Sequence, residues 1–266
     1  GLLDTEPEQL DTDDATDLPP IQGRVELDNV TFGYLPDKPV LHGISLKAEP
    51  GQTIALVGET GSGKTSIINL IAKFYLPDAG KVLIDGHDTQ HVTSESLAQQ
   101  LGIVLQRNYL FTGSVMDNIR VGRPDATDEQ VIASAQALDC LDILEALPQG
   151  LETSVGEKGG NLSLGQRQIV CFCRAMLADP RILILDEATS AVDTMTEAKV
   201  QVALARLLEG RTSFVVAHRL STIRHADAVL LLDDGRIIER GSHNDLLAKA
   251  GRYAKLYRQF IQASEA

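Results

Sequence analysis

Cysteine, basic charge and long apolar runs are all scarce in this sequence, and each shortage removes a class of protein. No stretch approaches the roughly 18 consecutive apolar residues of a bilayer span, so no transmembrane helix is expected. The acidic N-terminus has neither a basic flank nor an apolar stretch, so no signal peptide is expected. Three cysteines cannot build a disulfide framework. Cys171 and Cys173 stand two apart in a helical pattern and point to different faces, and Cys140 stands alone. All three read as buried thiols of a reducing compartment, with no zinc site. Lys and Arg number 24 against 37 Asp and Glu, a net charge of −13, which argues against nucleic acid as the main partner. No internal repeat or low-complexity segment occurs.

What remains is an ordinary globular composition, 43% apolar and 23% charged over 266 residues, enough for one large or two modest domains. The charge is uneven. Residues 1–20 carry seven acids (Asp4, Glu6, Glu8, Asp11, Asp13, Asp14, Asp17) and no base, which leaves −6 for the rest. This stretch, closing on Pro19-Pro20, reads as a solvated linker outside the core.

Past the linker, 24–32 and 40–48 alternate apolar with polar as antiparallel strands do. An apolar strand over 53–57 precedes a glycine-rich turn and a helix over 64–74; short strands follow at 80–85 and 102–105. The pattern is helical from about 114 to 147, with Asp125 and Thr127 as start signals and Pro148-Gln149-Gly150 as a stop. A helix over 164–178 ends at Asp179-Pro180, and strands at 182–185, 213–217, 229–232 and 236–239 alternate with a helix over 195–208 before two closing helices. Fully apolar strands alternating with helices predict an α/β fold with a parallel sheet covered on both faces. The N-terminal antiparallel part and the middle helices are expected as attached subdomains.

The strongest motif is Gly58-Glu59-Thr60-Gly61-Ser62-Gly63-Lys64-Thr65, which fits G-x-x-x-x-G-K-[ST] between a strand and a helix. Glycines let backbone N–H groups turn inward around phosphate oxygens, and the helix start aims its positive dipole end at the same anion. Lys64 reaches the outer phosphates, Thr65 is placed to ligate Mg²⁺, and Ser66 extends the nucleotide contacts into the helix. The sequence therefore predicts a nucleoside triphosphate site. The strand 182–185 ends in Asp186-Glu187, where ligands collect in open parallel sheets. Asp186 is expected to hold Mg²⁺ through water, and Glu187 to act on the attacking water as general base.

Asn161-Leu162-Ser163-Leu164-Gly165-Gln166, just ahead of a helix, resembles the signature segment of ATP-binding cassette (ABC) ATPases. Other elements of that family follow in its order. Tyr34 looks like the aromatic that stacks on adenine, and Gln106 resembles the Q-loop glutamine, near Mg²⁺ and the membrane contact. Ser190-Ala191-Val192-Asp193 looks like the D-loop, and His218 the switch histidine that holds the γ-phosphate. Ser154-Val155-Gly156-Glu157-Lys158-Gly159 is similar to the exporter X-loop, whose glutamate touches the transmembrane coupling helices. Leu2-Leu3-Asp4-Thr5-Glu6-Pro7 resembles the segment that joins the last membrane helix to the cassette.

The resemblance covers about 24–260 and implies a P-loop NTPase with a RecA-like parallel core. An N-terminal antiparallel β subdomain and an inserted helical subdomain near 107–178 are implied as well. It implies a linker over 1–22 following a transmembrane domain that is absent from this chain, and a cassette over 23–263. ATP and Mg²⁺ are the implied ligands. The implied partners are a transmembrane domain and a second cassette, in a homodimer or a heterodimer, with the chain on the cytoplasmic face of a membrane. Each ATP is then completed in trans by Ser163, Leu164, Gly165 and Gln166 of the other cassette, and Asp193 communicates across the dimer. The chain departs from the family at Leu164, where glycine is common. Leucine is strained there only if the position needs φ > 0. Three other readings stand beside an exporter ATPase: a soluble ABC-type ATPase, a GTP switch, and a nucleotide sensor without turnover. The GTP switch lacks its Asn-Lys-x-Asp motif.

Overall fold

The computed structural model describes residues 11–105, 108–186, 194–217 and 220–265. Alternating burial builds a first sheet, in which β1 (Val25–Phe32) and β2 (Leu41–Ala48) pair antiparallel. The wholly buried β3 (Thr53–Val57) then feeds α1 (Lys64–Ile71). The chain returns to the first sheet as β4 (Ala79–Ile84) and the two-residue β5 (His87–Asp88), giving the order β2-β1-β4-β5. A short α2 (Ser94–Ala98) leads to β6 (Leu101–Val104).

The helical stretch 114–147 holds three helices, α3 (Val115–Arg120), α4 (Asp128–Ala137) and α5 (Leu141–Glu145), and the start signal at Thr127 is the N-cap of α4. Gly122 breaks the run because the chain passes α6 there; a Cβ would lie 2.2 Å from the Arg174 carbonyl oxygen. The left-handed Asp139 (φ 57°) makes the second break. Next come α6 (Leu164–Ala178), β7 (Ile182–Asp186), α7 (Thr194–Leu208), β8 (Thr212–Val216), α8 (Leu220–His225), β9 (Ala228–Asp233), β10 (Arg236–Gly241), α9 (His243–Ala248) and α10 (Arg252–Glu265).

The second sheet has the order β10-β9-β3-β8-β7-β6, parallel except for the antiparallel edge strand β10. Period-2 alternation splits its side chains between two cores. Ile54, Leu56, Ile182, Ile184, Phe214 and Val216 face α1 and the antiparallel sheet. Leu183, Leu185 and Val215 face α3 to α7, and Ala55, Val57, Val229 and Leu231 continue that second face under the closing helices. The expected α/β architecture with its antiparallel and helical attachments is therefore what the chain adopts.

Two expectations need correction. From residue 11 onward the acidic stretch is docked on the core, although Asp13, Asp14 and Asp17 remain exposed to solvent. Leu18 and Ile21 are buried in the core that holds α1, Ile21 N–H donates to Gln100 Oε1 at 2.8 Å, and Thr16 bridges Val92. Asp11 accepts from Lys73 Nζ at 2.7 Å, and that lysine side chain is 1% exposed. The Lys73 hydrogen bond, helped by Ser94, holds the Asp11 carboxyl at about 2 against an ordinary 3.8. Acid count alone hid this, because two apolar side chains and one buried cation are enough to dock the segment. Nor does Cys140 stand alone: its sulfur lies 3.6 Å from Cys173 Sγ, and that contact together with burial pushes the Cys173 thiol up. The three cysteines are free and buried.

Candidate active site

Strands β3, β8, β7 and β6 run parallel, so their C-terminal ends share one edge of the sheet. At that edge β3 passes into the loop 58–63. Gly58 (φ 154°) has to be glycine there, since a Cβ would sit 2.3 Å from the Leu232 carbonyl oxygen. The loop is pinned from outside by Gly235 N–H donating to the Ser62 carbonyl at 3.2 Å. Lys64 is 8% exposed and curls back into the loop, donating to the carbonyls of Gly58 and Glu59 at 2.8 Å each. Burial pushes its ammonium below the usual range, while the Asp186 carboxylate pulls it back up. A cation is thus held inside a ring of backbone groups, with a carboxylate at the end of β7 near enough to affect it.

The start of α1 is bare. Its N-cap is Gly63 in the left-handed region (φ 104°), no side chain caps it, and its first turn carries no acid. By contrast α3, α4 and α6 each begin with a complete capping box. An uncapped helix start holds orphan N–H donors and a positive dipole end, which is an anion site. Glu59, Thr60, Gly61 and Thr65 are exposed around it, while Ser62 and Ser66 are buried at 5% and 4%.

Tyr34 lies beside the same helix, two residues past the end of β1. Its ring meets Phe32 and Tyr75 edge-on, with centroids 4.9 and 5.1 Å away, and its side remains 44% exposed. Its hydroxyl shares a hydrogen bond of 3.1 Å with Ser66 Oγ and accepts from Asn69 Nδ2 at 3.0 Å. Sequence reasoning missed Asn69 and Tyr75. Asn69 had a signal, since it follows Ser66 by three residues and shares its helix face.

The signature segment forms a second helix start. Ser163 is the N-cap of α6; its hydroxyl accepts from Gln166 N–H at 3.2 Å, and Gln166 Oε1 accepts from Ser163 N–H at 2.8 Å. Ser163 is exposed and Gly165 buried. Leu164 is helical with negative φ, so leucine meets no left-handed strain there. Because α6 lies in the core opposite the one holding α1, the structure does not bring the two helix starts together on one face of the sheet. Glu157 is exposed in a tight 3-10 turn, Glu157–Gly159, entered through Gly156 (φ 73°). Gln106, Glu187, Asp193 and His218 lie outside the described residues; β6, β7 and β8, which lead towards Gln106, Glu187 and His218, end at the edge where α1 begins.

A parallel sheet whose central strand enters a lysine-centred glycine loop defines a P-loop nucleotide-binding protein. Comparison narrows the class. The sequence model described as ABC transporter matches residues 41–190. The chain is 47% identical over 242 residues to a fatty acid ABC transporter ATP-binding/permease protein of Mycobacterium bovis, covering 91% of this chain and 38% of that one. It is 47% identical over 262 residues to the beta-(1-->2)glucan export ATP-binding/permease protein NdvA of Rhodopseudomonas palustris, covering 98% and 44%. The solved structure of a bacterial Atm1-family ABC exporter with ATP bound superposes with a TM-score of 0.89 at 43% identity, over 97% of this chain and 45% of that one. The chain belongs to the ABC transporter family, and it has the fold of an exporter-type ATP-binding cassette. It spans less than half the length of these relatives. Among the described residues no helix is long and apolar enough to cross a membrane.

Proposed function

We propose that this chain hydrolyses ATP with Mg²⁺ as one half of a head-to-tail cassette dimer and drives export through transmembrane partners at the cytoplasmic face of a membrane. The observation that carries the reading is the pair of helix starts. One is bare and lysine-centred; the other is exposed, bears Ser163, and belongs to the opposite core of the same chain. A triphosphate on the first start is then closed by the second start of another copy.

In this reading Gly58 to Ser66 cradle the phosphates, Lys64 moves from the loop carbonyls to the outer phosphate, and Tyr34 lies under adenine. Ser163 and Gly165 N–H, supported by Leu164 and Gln166, meet the γ-phosphate from across the interface. The oxygen set of Thr65 and Asp186 fits Mg²⁺, since both are hard donors, one an exposed hydroxyl and the other a carboxylate at the sheet edge, with Gln106 as a further oxygen. When bound, Mg²⁺ supplies charge neutralisation on the phosphates. Glu187 accepts the proton of the attacking water, His218 hydrogen-bonds the γ-phosphate, and Asp193 links the two sites. Gln106 and Glu157 carry the change to the membrane partner, and residues 1–22 form the connection to it. Loss of the γ-phosphate removes charge-assisted contacts, so the halves separate.

The test is dilution. Specific phosphate release should rise with protein concentration, and Glu187→Gln should retain ATP while accumulating as a dimer on size exclusion. A rate strictly proportional to enzyme at all dilutions removes the trans site.

A further inference from the structure

Asn69, which lies behind the phosphate loop on the second turn of α1, is bonded in a way that orders hydroxyl hydrogens. Its Nδ2 can only donate, and it donates to the Tyr34 oxygen at 3.0 Å. With the Tyr34 oxygen accepting there, the arrangement that uses every hydrogen has the phenol O–H donate to Ser66 Oγ, 3.1 Å away. Ser66 Oγ then receives a hydrogen and has its own left to give. Ser66 sits in the first turn of a helix start that no side chain caps, and it is 4% exposed, with little water to satisfy its hydrogen instead. The tyrosine cannot swing away freely, because Phe32 and Tyr75 hold its ring from two directions with interplanar angles of 79° and 88°.

We propose that Asn69 is a positioning residue for the triphosphate. Through the chain Asn69 Nδ2–H to Tyr34 O–H to Ser66 O–H it presents the Ser66 hydroxyl as a donor to phosphate oxygen at the start of α1. Hydrogen bonds in such a chain polarise one another, so the last donor is strengthened by the first. The chain also ties the aromatic expected under the base to the helix that holds the phosphates. The inference rests on the reading that a triphosphate occupies this helix start.

Equilibrium titration with magnesium-ATP and with magnesium tripolyphosphate tests it in the wild-type chain, Asn69→Ala, Asn69→Asp, Tyr34→Phe and the two double variants. Asn69→Ala should weaken both ligands about threefold to tenfold, the range of one lost hydrogen bond. Asn69→Asp should weaken them further, because a carboxylate accepts from Tyr34, forces Ser66 to donate to Tyr34, and takes its hydrogen away from the ligand. In the Tyr34→Phe background Asn69→Ala should have no further effect, since the chain is already cut. Three results overturn the proposal: unchanged affinity in Asn69→Ala, a loss that adds fully to that of Tyr34→Phe, or a loss for ATP alone. The last would mean that Asn69 acts on the base and not on the phosphates. Failure of the underlying reading looks different: Lys64→Ala would then bind magnesium-ATP as well as the wild-type chain does.

Discussion

Two helices of this chain, α1 and α6, begin with exposed polar residues in loops rich in glycine, yet the two starts are built in opposite ways. At α1 a left-handed glycine occupies the cap, no side chain closes it, and a lysine fills the loop in front. At α6 a serine and a glutamine close a capping box, so the helix satisfies part of its own demand. The first is held open for a strong anion at a cost in helix stability. The second satisfies part of its own demand and leaves unused the N–H groups outside the box and the hydrogen of the serine hydroxyl. On the proposed function, an open nest suits the site that binds nucleotide first, and a capped helix suits the one that joins later.

The largest effect that would break this contrast is at Lys64. Lys64→Ala should reduce ATP turnover about a thousandfold and abolish tight ATP binding, as loss of a preorganised cation against phosphate does. Radioactive or calorimetric ATP binding checks it, and binding at wild-type affinity would mean that the triphosphate is not held at this helix start. Ser163 separates capping from function. Ser163→Asp keeps the cap, so thermal stability should hold, but it sets a carboxylate against the incoming phosphate and should cut turnover about a hundredfold. Ser163→Ala should instead lose about 1 kcal/mol of stability along with activity.

The far ends of the same helices extend the comparison. Lys73, just past α1, is 1% exposed and pairs with Asp11, whereas Arg211 pairs with Asp179 at the end of α6 and is 11% exposed. Asp11→Asn should therefore cost more than Asp179→Asn, about 2 kcal/mol against less than about 1, because it strands the deeper cation. The folded carboxyl of Asp11 sits at about 2 against 3.8, so its contribution is present above pH 3.8 and is lost as pH falls towards 2. Denaturant unfolding of wild type and Asp11→Asn across that window should show the two curves converging at the acid end. The smallest expected effect is at Leu164. Leu164→Gly should leave turnover within about twofold and cost roughly 0.5–1 kcal/mol of helix stability, since leucine is unstrained there and glycine disfavours helix.

Much of this was legible beforehand because it is local. The apolar run 182–185 reads as a strand from its own residues, and residues 164–178 keep helical periodicity from a serine cap to the left-handed Asp179. The phosphate loop is legible for the same reason, since its glycines, lysine and flanking elements are adjacent in the chain. Within 114–147 the start at Thr127 was legible as a cap, but the breaks at Gly122 and Asp139 were not. The need for glycine at 122 shows only once α6 is seen passing so close that a Cβ would lie 2.2 Å from the Arg174 carbonyl oxygen. The docking of Leu18 and Ile21 was hidden by the acids around them, and the Cys140–Cys173 contact joins residues 33 apart.

Sequence alone determined the strands, the nest and the order of motifs, because backbone preference and hydrophobic period act between near neighbours. Only the tertiary structure decided which sheet face each helix covers, that Leu164 is unstrained, and that Asn69, Tyr34 and Ser66 form one chain of hydrogen bonds. Those outcomes depend on where distant segments meet in space, and no rule of spacing along the chain encodes a meeting between residue 34 and residue 69.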